Sequence, residues 1–350
     1  MLPRVPSMTE RRYRLLSLLV TVPLAVGAAM TLLWTGGVGG QLSLLRLLIA
    51  TLAGAAIVAA PLTLDRRAGA AVAVTLCCAV LAFWLGTRPS TDRDWHPQFE
   101  RAPHATFDGS RVTVHDVRDF RWADDGTWQP AWYDATYDLD ELEGAYLVLT
   151  TFSRVVGVGH VMVSFRFAGD RFLVMSVEAR RQVGETYDPV GGAFRQYELF
   201  YLAADERDAI AVRTQVHGDE TWIMPIHAGV PATRAFLVDM LERMNELRDR
   251  PAWYNTLTSS CATNLARHYE RINDVRLPPD HRVIMPGLSQ PLIEQLGMLP
   301  PGEDAATARV RYHVNPHAGG LPLDEHFSVA LRRWELDAAP DEIGVGDGEP

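Results

Sequence analysis

The chain contains no lysine, so all of its fixed positive side-chain charge is arginine. It holds three cysteines in 350 residues. There is no CxxC, no HExxH and no tight histidine pair, which removes the usual signatures of a zinc site. Neither a metal nor another cofactor is expected. A Gly-rich phosphate loop is also missing, since Gly157-Val-Gly159 is too short to be one, and no GxSxG nucleophile elbow occurs. Internal repeats are absent. With a net charge of −10, the chain has little to offer a phosphate backbone, and nucleic acid is not expected as a partner.

Long apolar runs are what the first quarter does have. Residues 15–34, 41–64 and 68–85 are each about as long as a bilayer-spanning helix requires, ~20 residues. Three in tandem argue against a cleaved leader. Arg4, Arg11, Arg12 and Arg14 precede the first run, the loop 35–40 is uncharged, and Arg66 and Arg67 lie in the second loop. Positive residues stay in the cytoplasm, so the expected topology is multi-pass in the inner membrane with the N-terminus inside and everything after residue 85 outside. Residues 1–87 carry seven arginines and two acids, net +5, which leaves −15 for the remainder.

The expected layout is a cytoplasmic tail (1–14), a membrane anchor (15–88), a linker (89–104), an extracytoplasmic domain (105–335) and an acidic, Gly- and Pro-containing tail (336–350). In the large domain, alternation predicts strands at 111–117, 145–153, 159–167, 171–180, 197–202, 209–214 and 222–226. Residues 122–137 read as irregular. The period then becomes helical, over 233–247 and 261–272. Strands followed by helices indicate an α+β fold rather than an alternating α/β one.

Cys77 and Cys78 fall within the third apolar run, where small apolar side chains are ordinary. Cys261 is different. It is alone in its domain, so it has no disulfide partner there and is an inert buried thiol, an intermolecular link or a nucleophile. Thr258, Ser259 and Ser260 are N-cap types, which puts Cys261 in the first turn of a helix. Unpaired N–H groups and the positive end of the helix dipole favour a thiolate there, and the same groups can receive an oxyanion. A small buried thiol at a helix start is the plain alternative.

A thiol nucleophile needs a base, and an imidazole is the usual one. His268 lies seven residues further along the same helix, roughly 10 Å up its axis, and is too distant. His160 opens one of two strands joined by Ala168-Gly-Asp170, a hairpin turn. A three-residue loop pairs Phe167 with Arg171 and brings His160 opposite Glu178 on one face. A carboxylate there holds the imidazole's tautomer and stabilises the imidazolium. A two-residue loop would put the two on opposite faces. A surface His–Glu pair is an equally good reading of these residues alone. Val161, Val163, Phe165 and Phe167 form an apolar stripe on the other face, which core packing explains.

Several segments in one order carry a resemblance. They are His160-Val-Met-Val-Ser-Phe-Arg-Phe167, Ser176-Val-Glu-Ala-Arg180, Gly184-Glu-Thr-Tyr187, Tyr197-Glu-Leu-Phe-Tyr201 with Asp205-Glu-Arg207, and Tyr254-Asn-Thr-Leu-Thr258 through Cys261 to Asn264. Val314-Asn-Pro-His-Ala318 and His326-Phe-Ser328 follow. Over roughly two-thirds of its length the chain resembles the periplasmic domain of the Lnb family of bacterial lipoprotein N-acyltransferases. The resemblance implies a circularly permuted papain-like domain with an antiparallel sheet, sharing its His-then-Cys order with the lecithin:retinol acyltransferase group. It implies His160 as base, Cys261 as nucleophile and Glu178 as orienting acid. Ser260, Asn255, Asn264, Arg180 and Tyr187 would shape the substrate or oxyanion site. The implied reaction moves a fatty acyl group from a membrane phospholipid, through a Cys261 thioester, to the N-terminal amine of a lipoprotein's diacylglyceryl-cysteine. Ser260-Cys-Ala-Thr-Asn264 stands where the family pattern reads Asn-Cys-Thr-Thr-Asn. Two other functions suit the same residues: a cell-envelope thiol hydrolase (a peptidase or amidase), and a non-catalytic envelope binding domain.

Overall fold

A computed structural model describes residues 8–36, 44–123, 125–152, 155–333 and 335. The expected tail 336–350 and the first residues of the expected cytoplasmic tail lie outside the described residues. The chain divides into two compact units. One comprises the chain through Phe99 together with Ala179–Leu199 and Pro251–Thr256; the other comprises Glu100–Glu178, Phe200–Arg250 and the chain from Leu257.

The first unit is built on α1 (Met8–Trp34), α2 (Leu44–Thr63) and α3 (Arg66–Gly86). All three are long and apolar enough to cross a membrane. They pack through small residues: Ala25, Ala28 and Ala73 surround Ile57. A Cβ at Gly69 would come within 2.6 Å of the Ala60 carbonyl oxygen, so glycine is what allows α3 to approach α2 this closely. Aliphatic side chains such as Leu15, Leu19, Leu45 and Leu52 point outward, as lipid-facing positions do.

The same unit holds residues 89–99 of the segment read as a linker. It is folded, with a 3-10 turn at Pro97–Phe99, and Trp95 and Phe99 are buried. The short α4 (Pro189–Ala193) is capped by Asp188, whose other oxygen accepts from Trp34 Nε1 at 2.8 Å. Thr35 Oγ1 donates to the Phe194 carbonyl at 2.9 Å, and the Arg195 guanidinium lies 3.8 Å over the Trp84 ring. One end of α1 and α3 is thereby tied to the 188–195 segment.

The second unit carries most of one sheet. Its strands are β1 (His104–Asp108), β2 (Arg111–Arg118), β5 (Trp132–Asp138), β6 (Leu142–Thr151), β7 (Gly159–Phe167), β8 (Arg171–Arg180), β9 (Glu198–Ala204) and β10 (Glu220–Pro225). A small separate hairpin joins β3 (Arg121–Trp122) to β4 (Trp128–Gln129). The main order is β1-β2-β9-β8-β7-β6-β10, with β5 also on β2. Most neighbours run antiparallel, but β2 meets β9 in parallel at Arg118↔Ala204, so the sheet is mixed rather than purely antiparallel. α5 (Glu206–Ala209), α6 (Val230–Asp249) and α7 (Cys261–Asn273) follow, then short helices.

Two local expectations are corrected. Residues 209–214 are helical, continuing from α5 into a π-turn over Val212–His217. Asp205 caps the start by accepting from Arg207 N–H, and a short buried run cannot be assigned by periodicity alone. Residues 122–137, read as irregular, contribute β4 and β5, and β5 gains its ladder by pairing with β2. The strands and helices now place α+β architecture on direct observation.

The sheet centre is buried on both faces, with Phe165, Leu173, Val174 and Met175 all excluded from water. Arg332 lies against this core and bonds Glu206 through both terminal nitrogens, at 2.9 and 2.6 Å. Glu206 also accepts from Ser164 on β7.

Candidate active site

β7 and β8 pair with the register the three-residue loop predicts, from Phe167↔Arg171 up to Met162↔Ser176. The described ladder ends there. Beyond it the strand faces still hold His160 close to Glu178, with His160 Nε2 3.1 Å from Glu178 Oε1.

The approach to His160 explains the glycines before it. Gly157 has φ +84°, and its carbonyl accepts from Gly287 N–H at 3.0 Å. A Cβ on Gly159 would sit 2.6 Å from the Thr150 carbonyl oxygen and 3.2 Å from Gly287 N. These glycines therefore serve a close crossing of backbones that delivers His160, and that is a structural reason for a motif too short to bind phosphate.

On the other side of the site, Ser260 caps α7. Its hydroxyl accepts from Thr263 N–H, while the Ser260 N–H donates to Thr263 Oγ1 at 2.7 Å. This reciprocal pair makes Cys261 the first helical residue. Asn264 is buried, and its Nδ2 donates to the Ser260 carbonyl at 2.8 Å and to Ser259 Oγ at 3.2 Å. Ser260 and Asn264 thus brace the turn that presents the thiol.

The structure brings Cys261, His160 and Glu178 together. Cys261 is buried, and its sulfur is hydrogen-bonded to the His160 side chain and receives the Val161 N–H. His160 Nε2 is occupied by Ser176 Oγ at 2.7 Å and by Glu178, which leaves Nδ1 for the sulfur. Ser176 Oγ donates to Glu178 Oε1 at 2.7 Å. In the sequence Ser176 stands out only as part of a motif. Its position two residues before Glu178 on a strand puts both on one face, and that spacing was the available signal.

The electrostatics favour charge separation. Burial disfavours an imidazolium, but Glu178 and then the thiol outweigh it, and the His160 pKa is pushed up to about 10. Burial also opposes a carboxylate at Glu178, yet His160, with help from Arg213 and Ser176, holds its pKa well below the usual range. Cys261 is lowered: desolvation raises it, and the His160 charge and hydrogen bond, with the Val161 N–H, more than compensate. A thiolate–imidazolium pair at rest is the state these shifts describe.

Arg180, Tyr187 and Asn255 belong to the first unit and bond within it. Arg180, in the first unit, donates from Nε and Nη2 to the Phe99 carbonyl at 3.0 and 2.8 Å and lies 4.0 Å over Trp95. Burial lowers its pKa to about 10. Tyr187 shares a hydrogen bond with Tyr254 at 3.1 Å and stacks on Tyr197. Asn255 Nδ2 donates to the Ala193 carbonyl at 3.1 Å. His268 is engaged away from the thiol, with Nδ1 2.5 Å from Asp239 and Nε2 2.7 Å from Tyr201 Oη. Among the described residues no cluster of His, Cys, Asp and Glu has the makings of a metal site.

A cleft of about 400 Å³ is lined by β7, α6 and α7. Val161 and Ala262, the neighbours of His160 and Cys261, line one part of it; Val163, Phe165, Phe236 and Leu265 line its floor. The stripe on β7 is therefore partly cleft wall. Phe167, its last member, is not part of that lining and packs instead on Tyr137.

An α+β domain that buries a thiol, an imidazole and a carboxylate in hydrogen-bonded series, in a chain with three membrane-length helices, defines a membrane-associated thiol-site protein. Residues 128–287 match the family model of the Lnb N-terminal periplasmic domain, a stretch that contains Cys261, His160 and Glu178. The resemblance seen in the motifs is the same family, and the chain is a membrane protein with a periplasmic domain. No curated protein and no solved structure matches the chain.

Proposed function

We propose that this domain is a lipoprotein-processing thiol acyltransferase of the bacterial envelope, working at the outer face of the inner membrane. The observation that carries the reading is the buried Cys261 thiol bonded to an imidazole whose other nitrogen is held by Ser176 and Glu178. The family match and the apolar helices add the setting. The arginines before α1 and between α2 and α3 put those ends in the cytoplasm. The order of a strand-borne His before a helix-borne Cys is that of a permuted papain-like domain.

In the first half-reaction the Cys261 thiolate attacks the acyl carbonyl carbon of a phospholipid ester. The C–S bond forms, and negative charge collects on the carbonyl oxygen, where the first-turn N–H groups of Cys261 and Ala262 receive it. The ester C–O bond then breaks, and the lysolipid alkoxide takes the proton held by His160. His160 is left neutral and ready to act as base. In the second half-reaction the α-amine of a lipoprotein's lipidated N-terminal cysteine attacks the thioester. His160 takes the amine proton, the C–S bond breaks, and the thiolate–imidazolium pair is restored. Glu178 and Ser176 are positioning residues throughout. Tethering both enzyme and acceptor to one bilayer raises the effective concentration of each for the other.

The test is the intact mass of the purified full-length protein after incubation with phospholipid vesicles. A fatty-acyl increment on Cys261, absent in Cys261→Ala and His160→Ala, and discharged by a diacylglyceryl-cysteine peptide to give its amide, is the expected result. Discharge to free fatty acid at the same rate with or without that peptide would make the domain a hydrolase. Full activity in Cys261→Ala would refute the nucleophile. A non-catalytic binding domain would leave the thiol unmodified; the bond between Cys261 and His160 weighs against it.

A further inference from the structure

The β7–β8 ladder stops at Met162↔Ser176, although β7 itself runs on against β6 as far as Gly159. Along a strand, successive peptide groups turn alternately to its two neighbours. On β7 the even positions turn to the β6 side: the Val158 carbonyl accepts from Phe152 N–H, and Ala168 N–H donates to the Glu141 carbonyl. The odd positions therefore turn to β8. Val163 has its partner there, opposite Met175. Val161 is the next odd position towards the site, and one more step of the register would set it opposite Val177. Its N–H goes instead to the Cys261 sulfur. Val161 is buried, and a buried amide needs an acceptor. A neutral thiol is a weak acceptor, poorer than the carbonyl that a continued ladder would supply. A thiolate reverses that ranking, because a hydrogen bond to a charged group is roughly twice as strong as a neutral one. The interrupted ladder is matched to a charged sulfur.

We propose that the main-chain N–H of Val161 is a catalytic group, a donor released from the sheet to hold negative charge on Cys261 Sγ. The donors of the site then divide by origin. On α7 the Thr263 N–H is taken by the Ser260 cap, and the N–H groups of Cys261 and Ala262 serve the carbonyl oxygen. The sulfur draws its donors from β7, the His160 ring and the Val161 amide. At rest the Val161 N–H supports the thiolate. Its second action rests on the acyl-transfer reading. Once the acceptor amine has added to the thioester, the C–S bond breaks and its electron pair passes to sulfur. The Val161 N–H receives that charge while His160 takes the amine proton.

The test deletes one hydrogen-bond donor and no side chain. Full-length protein is made by cell-free translation into nanodiscs with Val161 replaced by the α-hydroxy acid of valine, which turns the amide into an ester. The same replacement at Val163 is the control. It removes an N–H that faces β8 within the ladder and weakens a carbonyl that faces β6, as the ester at 161 does, but away from the sulfur. Iodoacetamide alkylation of the Cys261 peptide is followed against pH. The ester at 161 should raise the alkylation midpoint by about one unit, and the ester at 163 should leave it in place. With the fatty-acyl Cys261 thioester formed beforehand, transfer to a diacylglyceryl-cysteine peptide should slow about tenfold in the ester at 161 alone. An unchanged midpoint in the ester at 161, or an equal rise in the ester at 163, would overturn the proposal. Alkylation needs no acyl donor. A raised midpoint in a chain that phospholipid never acylates would therefore refute the reaction and leave the thiolate donor standing, and acyl transfer with no change of midpoint would do the reverse.

Discussion

Glu178→Gln isolates the contribution of one buried charge. The carboxylate lies 3.1 Å from His160 Nε2, and its charge raises the imidazole's pKa against the effect of burial. At that distance the Coulomb attraction is about 5 kcal/mol for an effective dielectric of ~20. Desolvation of the carboxylate and the hydrogen bond that glutamine can still make offset part of it. A net loss of about 2–3 kcal/mol for the imidazolium corresponds to roughly two pKa units. Two effects on the thiol oppose each other. Glu178 directly disfavours a thiolate, and indirectly favours one by keeping His160 charged. The indirect effect wins, because Glu178 touches the imidazole while the thiol meets it only through His160. The substitution should therefore raise the pH at which Cys261 becomes reactive. The assay is the rate of iodoacetamide alkylation against pH, read on the Cys261 peptide so that Cys77 and Cys78 do not contribute. An unchanged alkylation profile, in a variant that keeps its circular dichroism and melting behaviour, would refute the argument that Glu178 sustains the charged pair.

The ion pair also makes a linkage prediction. His160 alone, with its pKa raised to about 10 from 6.5, would contribute stability that is complete below pH 6.5 and lost as the pH rises through 10. Cys261, lowered from 9.0, contributes in the opposite sense, so between pH 6.5 and 9.0 the folded pair and the unfolded pair each hold one proton and stability should be flat. Cys261→Ala removes the compensation and also one of the groups that raise His160; with Glu178 still holding the imidazole charged, the unfolding free energy should fall with rising pH above 6.5, by up to about 1.4 kcal/mol per unit, and a flat profile would mean that Glu178 alone does not keep His160 charged. Gly159→Ala should cost about 1–3 kcal/mol, because its Cβ must displace backbone at Thr150 and Gly287; an unchanged melting temperature would show the crossing to be slack. Glu206→Gln leaves the Arg332 guanidinium buried and short of a counter-charge, with an expected loss of about 3–5 kcal/mol in urea unfolding, and a loss near zero would mean that the pair is solvated.

Local pattern was enough for much of this. Membrane-length helices follow from long apolar runs, since length and composition alone satisfy the bilayer. The β7–β8 register follows from a three-residue turn and alternation, and it put His160 and Glu178 within reach before any tertiary contact was known. The start of α7 follows from Ser260, whose hydroxyl is a cap wherever a helix begins next to it. Residues 209–214 were misread because buried apolar runs look alike in strands and helices, and the Asp205 cap decided the matter. Residues 95–99 were read as linker because two aromatics among charges have no period. Their burial shows only when the chain folds back.

Arg180 donates to the Phe99 carbonyl and Tyr187 shares a hydrogen bond with Tyr254, contacts that a linear pattern does not reveal. The sequence by itself determined the chemical types at the site, the local elements that carry them and the membrane setting, because those depend on neighbours a few residues apart. Tertiary structure alone decided that the sulfur from residue 261 meets the imidazole from residue 160 and that Ser176 joins them. Contacts across a hundred residues are set by packing of whole elements, and no short-range pattern encodes the distance between them.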